Sequence, residues 1–382
     1  MIYLDNAATT WPKPEAVAGA VQEALLHKGG NAGRGGHGAA MQMARLIHQT
    51  RVDLCTLFGM DDPSRVVFTQ NATHALNMAL FGLLHPGDHV ITSSLEHNAV
   101  ARPLYALRQR GVKVSEVPGT PGAEFDFAFY RKAFRPKTKL VVTLHASNVT
   151  GTTLPIREIG QMAHEHGVRY LLDAAQTAGV FPIDLKNLPV DLLAFPGHKG
   201  LLGPQGTGGL IIKADVRVEP LIYGGTGSLS EEVRQPDFLP DALESGTLNG
   251  VGLAGLGAGV RYILAEGVDQ IRVREQELCR KLWSGLKGIA GVKLYGSEEG
   301  ERRAAIIAFN LGEMDSVELS YILEERAGII ARAGLHCAAQ AHRMLGTLDQ
   351  GVVRFSPSHY TSVAEIEKAL QTVKEVAAEM GY

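Results

Sequence analysis

Two short segments hold the residues whose types and spacing most plainly suggest chemistry. LLDAAQTAG (171–179) sets Asp173 directly after an apolar run, with Gln176 a few positions on. FPGHKGLLGPQGTG (195–208) sets His198 and Lys199 in a glycine-rich turn after a second apolar run. A lone acid or lysine at a strand end is usually a cap or a solvated charge. Together they meet the needs of pyridoxal phosphate. That cofactor takes an amine to form a Schiff base and an anion to keep its pyridine nitrogen protonated, so that the ring stores the electrons of a carbanion.

Further candidates lie elsewhere in the chain. Asn71, Ala72 and Thr73 precede the apolar-periodic residues Ala75, Leu76, Ala79, Leu80 and Leu83, which places them at a helix N-terminus. Free backbone N–H groups and the helix dipole suit a phosphate there, and an ordinary N-cap is compatible with that reading. Cys337 closes the stretch RAGLHC (332–337), which follows a short β-like run at Gly328–Ala331 and contains little to bury a thiol. Such a loop favours a partly exposed, reactive cysteine. Cys55 and Cys279 instead fall on apolar helical faces, where cysteine is a small hydrophobic filler. Arg354, in VVRFSPS, carries a planar fork suited to bidentate pairing with an amino-acid carboxylate. Arg332 either helps it or orders the loop.

The elements that must position these residues form a recognisable series. Arg65–Thr69, His89–Ser93, Val112–Val117, Leu140–Leu144, Tyr170–Asp173, Leu192–Phe195 and Gly208–Ile212 read as strands, mostly spaced widely enough for crossover helices. That alternation predicts an α/β fold with a mostly parallel sheet covered on both faces. Asn71, His97, Asn148, Asp173 and Lys199 all follow strands, and ligands in such sheets bind beyond the carboxyl ends of the strands. Helices are expected near Val251–Ala265 and Asp269–Leu286. Strands at Val292–Tyr295 and Ala304–Phe309, a helix at Ser316–Arg326, a strand at Val352–Ser356 and a helix at Val363–Met380 complete a smaller α+β unit. Residues 15–255 are thus expected as the large domain, and 1–14 with 256–382 as the small one. Tyr223–Leu239 reads as a long surface loop.

Composition narrows the field of partners. The 382 residues carry 37 basic and 40 acidic side chains, a net charge of −3, and no Lys/Arg run that would track a nucleic acid. Hydrophobic residues at 45% support a buried core. Three scattered cysteines are too few for a disulfide framework or a zinc site. No signal-like start or long apolar span occurs, so a cytoplasmic protein without membrane contact is expected.

The sequence resembles the cysteine desulfurases, class V aminotransferase-like enzymes of the fold-type I pyridoxal-phosphate group. YLDNAATT, TQNATHALN, SLEHNAV, SNVTGT, LDAAQTAG, GHKGLLGPQG, ESGTLN, RAGLHCA and VRFSPSHYT occur in that family's order along almost the whole chain. The short R-x-G-x-H-C-A segment is closest to the group that includes selenocysteine lyase-like enzymes. The resemblance implies Lys199 as the Schiff-base lysine and Cα proton carrier, Asp173 at the pyridinium nitrogen and Gln176 at the ring phenolate oxygen. It also implies His97 stacked on the ring, Asn148 near its phenolate edge and near substrate, and Ala72, Thr73 and His198 at the phosphate. Thr247 would reach the phosphate of a neighbouring subunit, which implies a homodimer with shared sites. Arg354, with Arg332, would bind the carboxylate of L-cysteine. Cys337 would take the sulfur as a persulfide while alanine leaves, and a sulfur-acceptor protein is implied. A selenocysteine lyase, or another class V enzyme such as a C–S lyase, stays open on the same residues.

The sequence departs from the family pattern in two places. Pro196 stands where a hydroxyl residue usually contacts phosphate, and proline has no N–H to donate. Leu335 replaces a first histidine, leaving His336 beside the thiol. Asn31, Arg34 and His37, in GNAGRGGH, match a loop near the site in relatives and take no role here.

Overall fold

A computed structural model describes residues 1–33, 35–119, 126–298 and 303–382. Its centre is a seven-stranded sheet. The spatial order is Val66–Thr69, Gly208–Ile212, Leu192–Pro196, Arg169–Asp173, Thr138–Leu144, His89–Ser93 and Lys113–Val117. All run the same way except Gly208–Ile212, which is antiparallel to both neighbours. The reason is local. Only a glycine-rich turn separates it from Leu192–Pro196, and a parallel return needs a crossover of a dozen or more residues. The central strands are buried on both faces, so they read as continuous apolar runs.

Helices cover both faces. Ala72–Leu83 begins immediately after the first sheet strand, and the Asn71 side chain accepts the N–H of His74 at its start. Such a cap is worth about 1 kcal/mol. Ala75, Leu76, Ala79 and Leu80 turn its apolar stripe onto the sheet. Gly208 lets the neighbouring strand pass beneath this helix start, because a Cβ there would lie 2.8 Å from Asn71 Cα. The helix Gly250–Glu266 packs on Glu15–His27 and Gly38–Phe58. Gly255 and Gly257 allow that approach, since Cβ atoms would stand 2.7 Å from Val21 and 2.5 Å from Thr50.

The C-terminal part is a four-stranded antiparallel sheet in the order Arg332–Gly334, Val352–Phe355, Ile307–Leu311 and Val292–Tyr295. Leu278, Leu282, Leu319, Leu323, Ile366 and Val373, from three helices, share one core with Phe309 and Phe355 on that sheet. The first residues of the chain join this unit, because Ile2–Tyr3 pairs in parallel with Ile329–Ile330.

Several sequence expectations are corrected. The strand expected at Ala304–Phe309 runs from Ile307 to Leu311. Arg303 bridges to Thr152 and the Ala304 N–H bonds to Gly151 O, which holds that stretch against the large sheet's loop. The short helices Phe127–Ala133 and Ala339–Leu345 and the strand Arg332–Gly334 are unmarked by strong periodicity. A boundary at 255/256 falls inside the helix Gly250–Glu266, whose length packs on large-domain helices. We propose instead that the units divide at Gly267, where this helix and Val268–Lys287 meet at 82°.

Candidate active site

Five strand-end loops converge on one cavity of about 220 Å3. Asn71, Ala72 and Thr73 line one side, as the first turn of a helix whose early N–H groups lack helical partners. His97, Asn148, Asp173 and Gln176 line the rest with His198 and Lys199. Residues scattered over more than a hundred positions are therefore brought together by the shared direction of their strands.

Asp173 ends its strand with a buried carboxyl whose Oδ1 accepts the N–H of Ala175 at 2.9 Å. Burial raises its pKa above the ordinary range, while that N–H and Lys199 act in the opposite direction. Lys199 occupies the glycine turn after Leu192–Pro196, half-buried at the cavity wall. Its amine is lowered to about 8, chiefly by desolvation, with Arg354 adding and Asp173 opposing. A larger fraction of Lys199 is thus the free amine near neutrality than for a lysine in water.

His97 caps the helix Asn98–Gln109, its Nδ1 accepting from Ala99 at 3.0 Å. Desolvation first, then Lys199 and nearby arginines, lower it to about 4, so the ring is neutral. Gln176 donates to Ala7 O at 3.1 Å, and His198 Nδ1 meets Thr9 Oγ1 at 3.0 Å. Pro196 lines the cavity as the last strand residue and offers no N–H.

Arg354 is 1% exposed. Its Nη2 pairs with Asp5 Oδ1 at 2.8 Å and its Nη1 donates to Asn148 O at 2.8 Å, while Nε has no partner among the described residues. Arg332 lies directly across the sheet from it. Like charges placed opposite each other repel, and Asp5 supplies the compensating charge.

Cys337 is exposed, 4.0 Å from Arg332 Nη2. His336, expected beside the thiol, instead turns inward. It is 3% exposed, with its ring stacked on His342 at 5.9 Å and its Nε2 3.3 Å from Arg332 O. Burial, reinforced by Arg354, holds its pKa far below the ordinary value, so it is neutral. Arg332 is therefore the charged group beside the sulfur. Cys55 and Cys279 are buried, and burial raises both thiols, Cys55 to about 11.

Thr247 is not brought to this cavity. It is exposed and accepts from Asn31 Nδ2 at 3.3 Å. His37 caps the helix Gly38–Phe58, and Arg34 lies outside the described residues.

Sequence reasoning passed over three residues that build the site. Asp5 holds Arg354. Glu96 accepts from Ser93 Oγ at 2.5 Å and Leu144 N at 2.9 Å, which ties together two strand ends just ahead of His97. Lys13 donates to His198 O at 2.7 Å, on the peptide that precedes Lys199. Their available signal was position alone: Glu96 precedes the candidate His97, while Asp5 lies within and Lys13 just beyond the YLDNAATT segment, to which no residue role was given.

The aminotransferase class-V family model matches residues 2–369. A probable cysteine desulfurase of Methanothermobacter thermautotrophicus is 35% identical, covering 98% of this chain and 94% of that protein. A cysteine desulfurase of Klebsiella pneumoniae is 29% identical, over 100% and 94% respectively. The apo structure of a cysteine desulfurase from Thermococcus onnurineus NA1 superposes with a TM-score of 0.92 at 31% identity, covering 99% of this chain and 95% of that one.

Proposed function

This chain belongs to the class-V aminotransferase family and is a cysteine desulfurase, and from that premise we propose that it moves the sulfur of L-cysteine onto Cys337 and releases L-alanine. The observation that carries this reading is the exposed Cys337 thiol beside Arg332, in a protein whose other two cysteines are buried.

The cavity residues fit pyridoxal phosphate. A buried carboxylate with one backbone partner suits the ring nitrogen, and an amine lowered to about 8 suits the aldehyde. The helix start at Ala72 and Thr73, with His198, suits the phosphate. Asn148 Oδ1 is buried on the same wall without a partner among the described residues, and His97 and Gln176 would flank the ring. Bound there, the cofactor supplies an electron sink for a carbanion at the substrate Cα.

The chain's own residues carry the rest. The unpartnered Nε edge of Arg354 recognises the substrate carboxylate, supported by Arg332. Lys199 Nζ takes the Cα proton and returns it. Cys337 Sγ bonds to the substrate sulfur as the C–S bond breaks, and the Cβ that keeps the electron pair takes a proton. Atoms balance with the persulfide on Cys337 and alanine as the product. Mass spectrometry after incubation with L-cysteine should find one added sulfur on the Cys337 peptide. Sulfur found on no cysteine overturns the reading.

The amine of Lys199 gives a pH dependence with a definite sign. Because its pKa is lowered to about 8, the reactive free amine grows as pH rises through that value. Cofactor-free protein should recapture pyridoxal phosphate faster at about pH 9 than at about pH 7, followed by absorbance. A rate flat across that range argues against the lowered amine.

The proposal includes a homodimer with shared sites, a cytoplasmic location and a protein that accepts the sulfur. Support for the dimer comes from Thr247, exposed and away from its own cavity, and from the exposed Ile222, Tyr223, Val233 and Phe238 on one loop. Exposed large apolar side chains gathered on one loop are what a subunit interface would cover. Thr247→Ala should weaken cofactor retention by the loss of one neutral donor, ~0.5–1.5 kcal/mol, with the melting transition unchanged. A fully active monomer by light scattering would remove the shared site.

A further inference from the structure

His336 and Cys337 both hold left-handed backbone conformations, with φ of 50° and 55°. Residues with side chains rarely adopt this region, and they stay in it only where the surroundings over-determine them. Here two consecutive residues do so at the candidate sulfur acceptor. Bonds from the large sheet's loops hold the two peptide carbonyls. Asn148 Nδ2 donates to His336 O at 2.7 Å, and the N–H of Asn98 donates to Cys337 O at 2.8 Å. A turn bond from Ala338 N to Leu335 O, 2.9 Å, closes the loop itself.

Both donors come from elements that also serve the cavity. Asn98 opens the helix capped by His97, and Asn148 follows the strand Thr138–Leu144. Asn148 also accepts from Arg354 Nη1 through its own carbonyl, so one residue touches the carboxylate-binding arginine and the cysteine loop. We propose that the Asn148 side chain and the Asn98 N–H are positioning groups. They hold Cys337 in the left-handed conformation that aims its thiol for sulfur transfer, and Asn148 couples this placement to Arg354. The proposal rests on the reading of Cys337 as the sulfur acceptor.

Asn98→Pro tests one clamp cleanly. It deletes the N–H together with the Asn98 side chain, a change that Asn98→Ala controls for, at a first helical position where proline is tolerated. His97 before it already has φ −66° and ψ 154°, the extended conformation that proline requires of its predecessor. In the holoenzyme, cofactor absorbance and KM for L-cysteine should stay near wild type. Amide exchange across residues 335–338 should quicken, and kcat should fall about 100-fold, the scale of a misplacement near an ångström. Asn148→Ala removes the other donor and should quicken exchange in the same segment, a readout that a role confined to the cofactor does not move. If Asn98→Pro fails to fold, exchange in Asn148→Ala decides the matter. Unchanged exchange at 335–338 overturns the proposal, whether or not activity falls. Exchange is read without sulfur transfer, so a wild type that gains no sulfur at Cys337 overturns the functional reading separately.

Discussion

Cys337→Ala should abolish alanine release from L-cysteine while leaving the cofactor bound. Lys199 and Asp173, the groups suited to the aldehyde and the ring nitrogen, stand on other loops than Cys337. What the variant loses is the only exposed thiol among the three cysteines. Without it the substrate sulfur has no atom to bond to as the C–S bond breaks, and covalent catalysis of this kind has no substitute in the loop. Cys55→Ala and Cys279→Ala are the controls. Both thiols are buried and held protonated, so each variant should lose roughly 0.5–3 kcal/mol of stability and little activity. Alanine and pyruvate should be assayed side by side. Alanine at the wild-type rate from the Cys337 variant contradicts sulfur transfer, and pyruvate with sulfide instead identifies direct elimination.

Arg354→Lys should raise KM for L-cysteine strongly with cofactor absorbance nearly unchanged. The guanidinium already commits one nitrogen to Asp5 and another to the Asn148 carbonyl, and its buried Nε has no partner among the described residues. An ammonium keeps the charge but has one nitrogen, so it cannot hold Asp5, Asn148 and a carboxylate in one planar arrangement. Losing a charged hydrogen bond of ~1.5–3 kcal/mol corresponds to a KM increase of about 10- to 150-fold. Some stability should go with it, because the side chain is fully buried and Asp5 keeps only a weaker partner. The measurement is steady-state kinetics with a thermal melt of the same sample. An unaltered KM moves carboxylate recognition to Arg332, its cross-strand neighbour.

Much of this architecture is legible in the sequence, because it is written in short-range patterns. The strands of the large sheet are apolar runs between helical stretches, and His89–Ser93 and Gly208–Ile212 fall where the residues place them. Once those strands share a direction, polar residues just past them must meet at one edge. Asn71, His97, Asn148, Asp173 and Lys199 therefore line one cavity without any further instruction. The contrast among the cysteines is local too, since Cys55 and Cys279 sit on apolar helix faces and Cys337 in a polar loop.

Only the tertiary structure decided how the charges around that cavity are partnered. Asp5 and Arg354 are separated by nearly the whole chain and meet because Asp5 bridges in parallel to Ser356, continuing the pairing of Ile2–Tyr3 with Ile329–Ile330 along a stretch too short to carry its own periodicity. The inward turn of His336 depends on His342 and on the Arg332 carbonyl, and the backbone angles of Cys337 depend on donors from two distant loops. The strand near Ala304 shifted for the same reason, since Arg303 is held by Thr150 and Thr152 rather than by its own sheet. Side-chain periodicity specifies which face of an element is buried. Which partner a buried polar group finds there is set by packing between elements, and residue order alone does not carry that information.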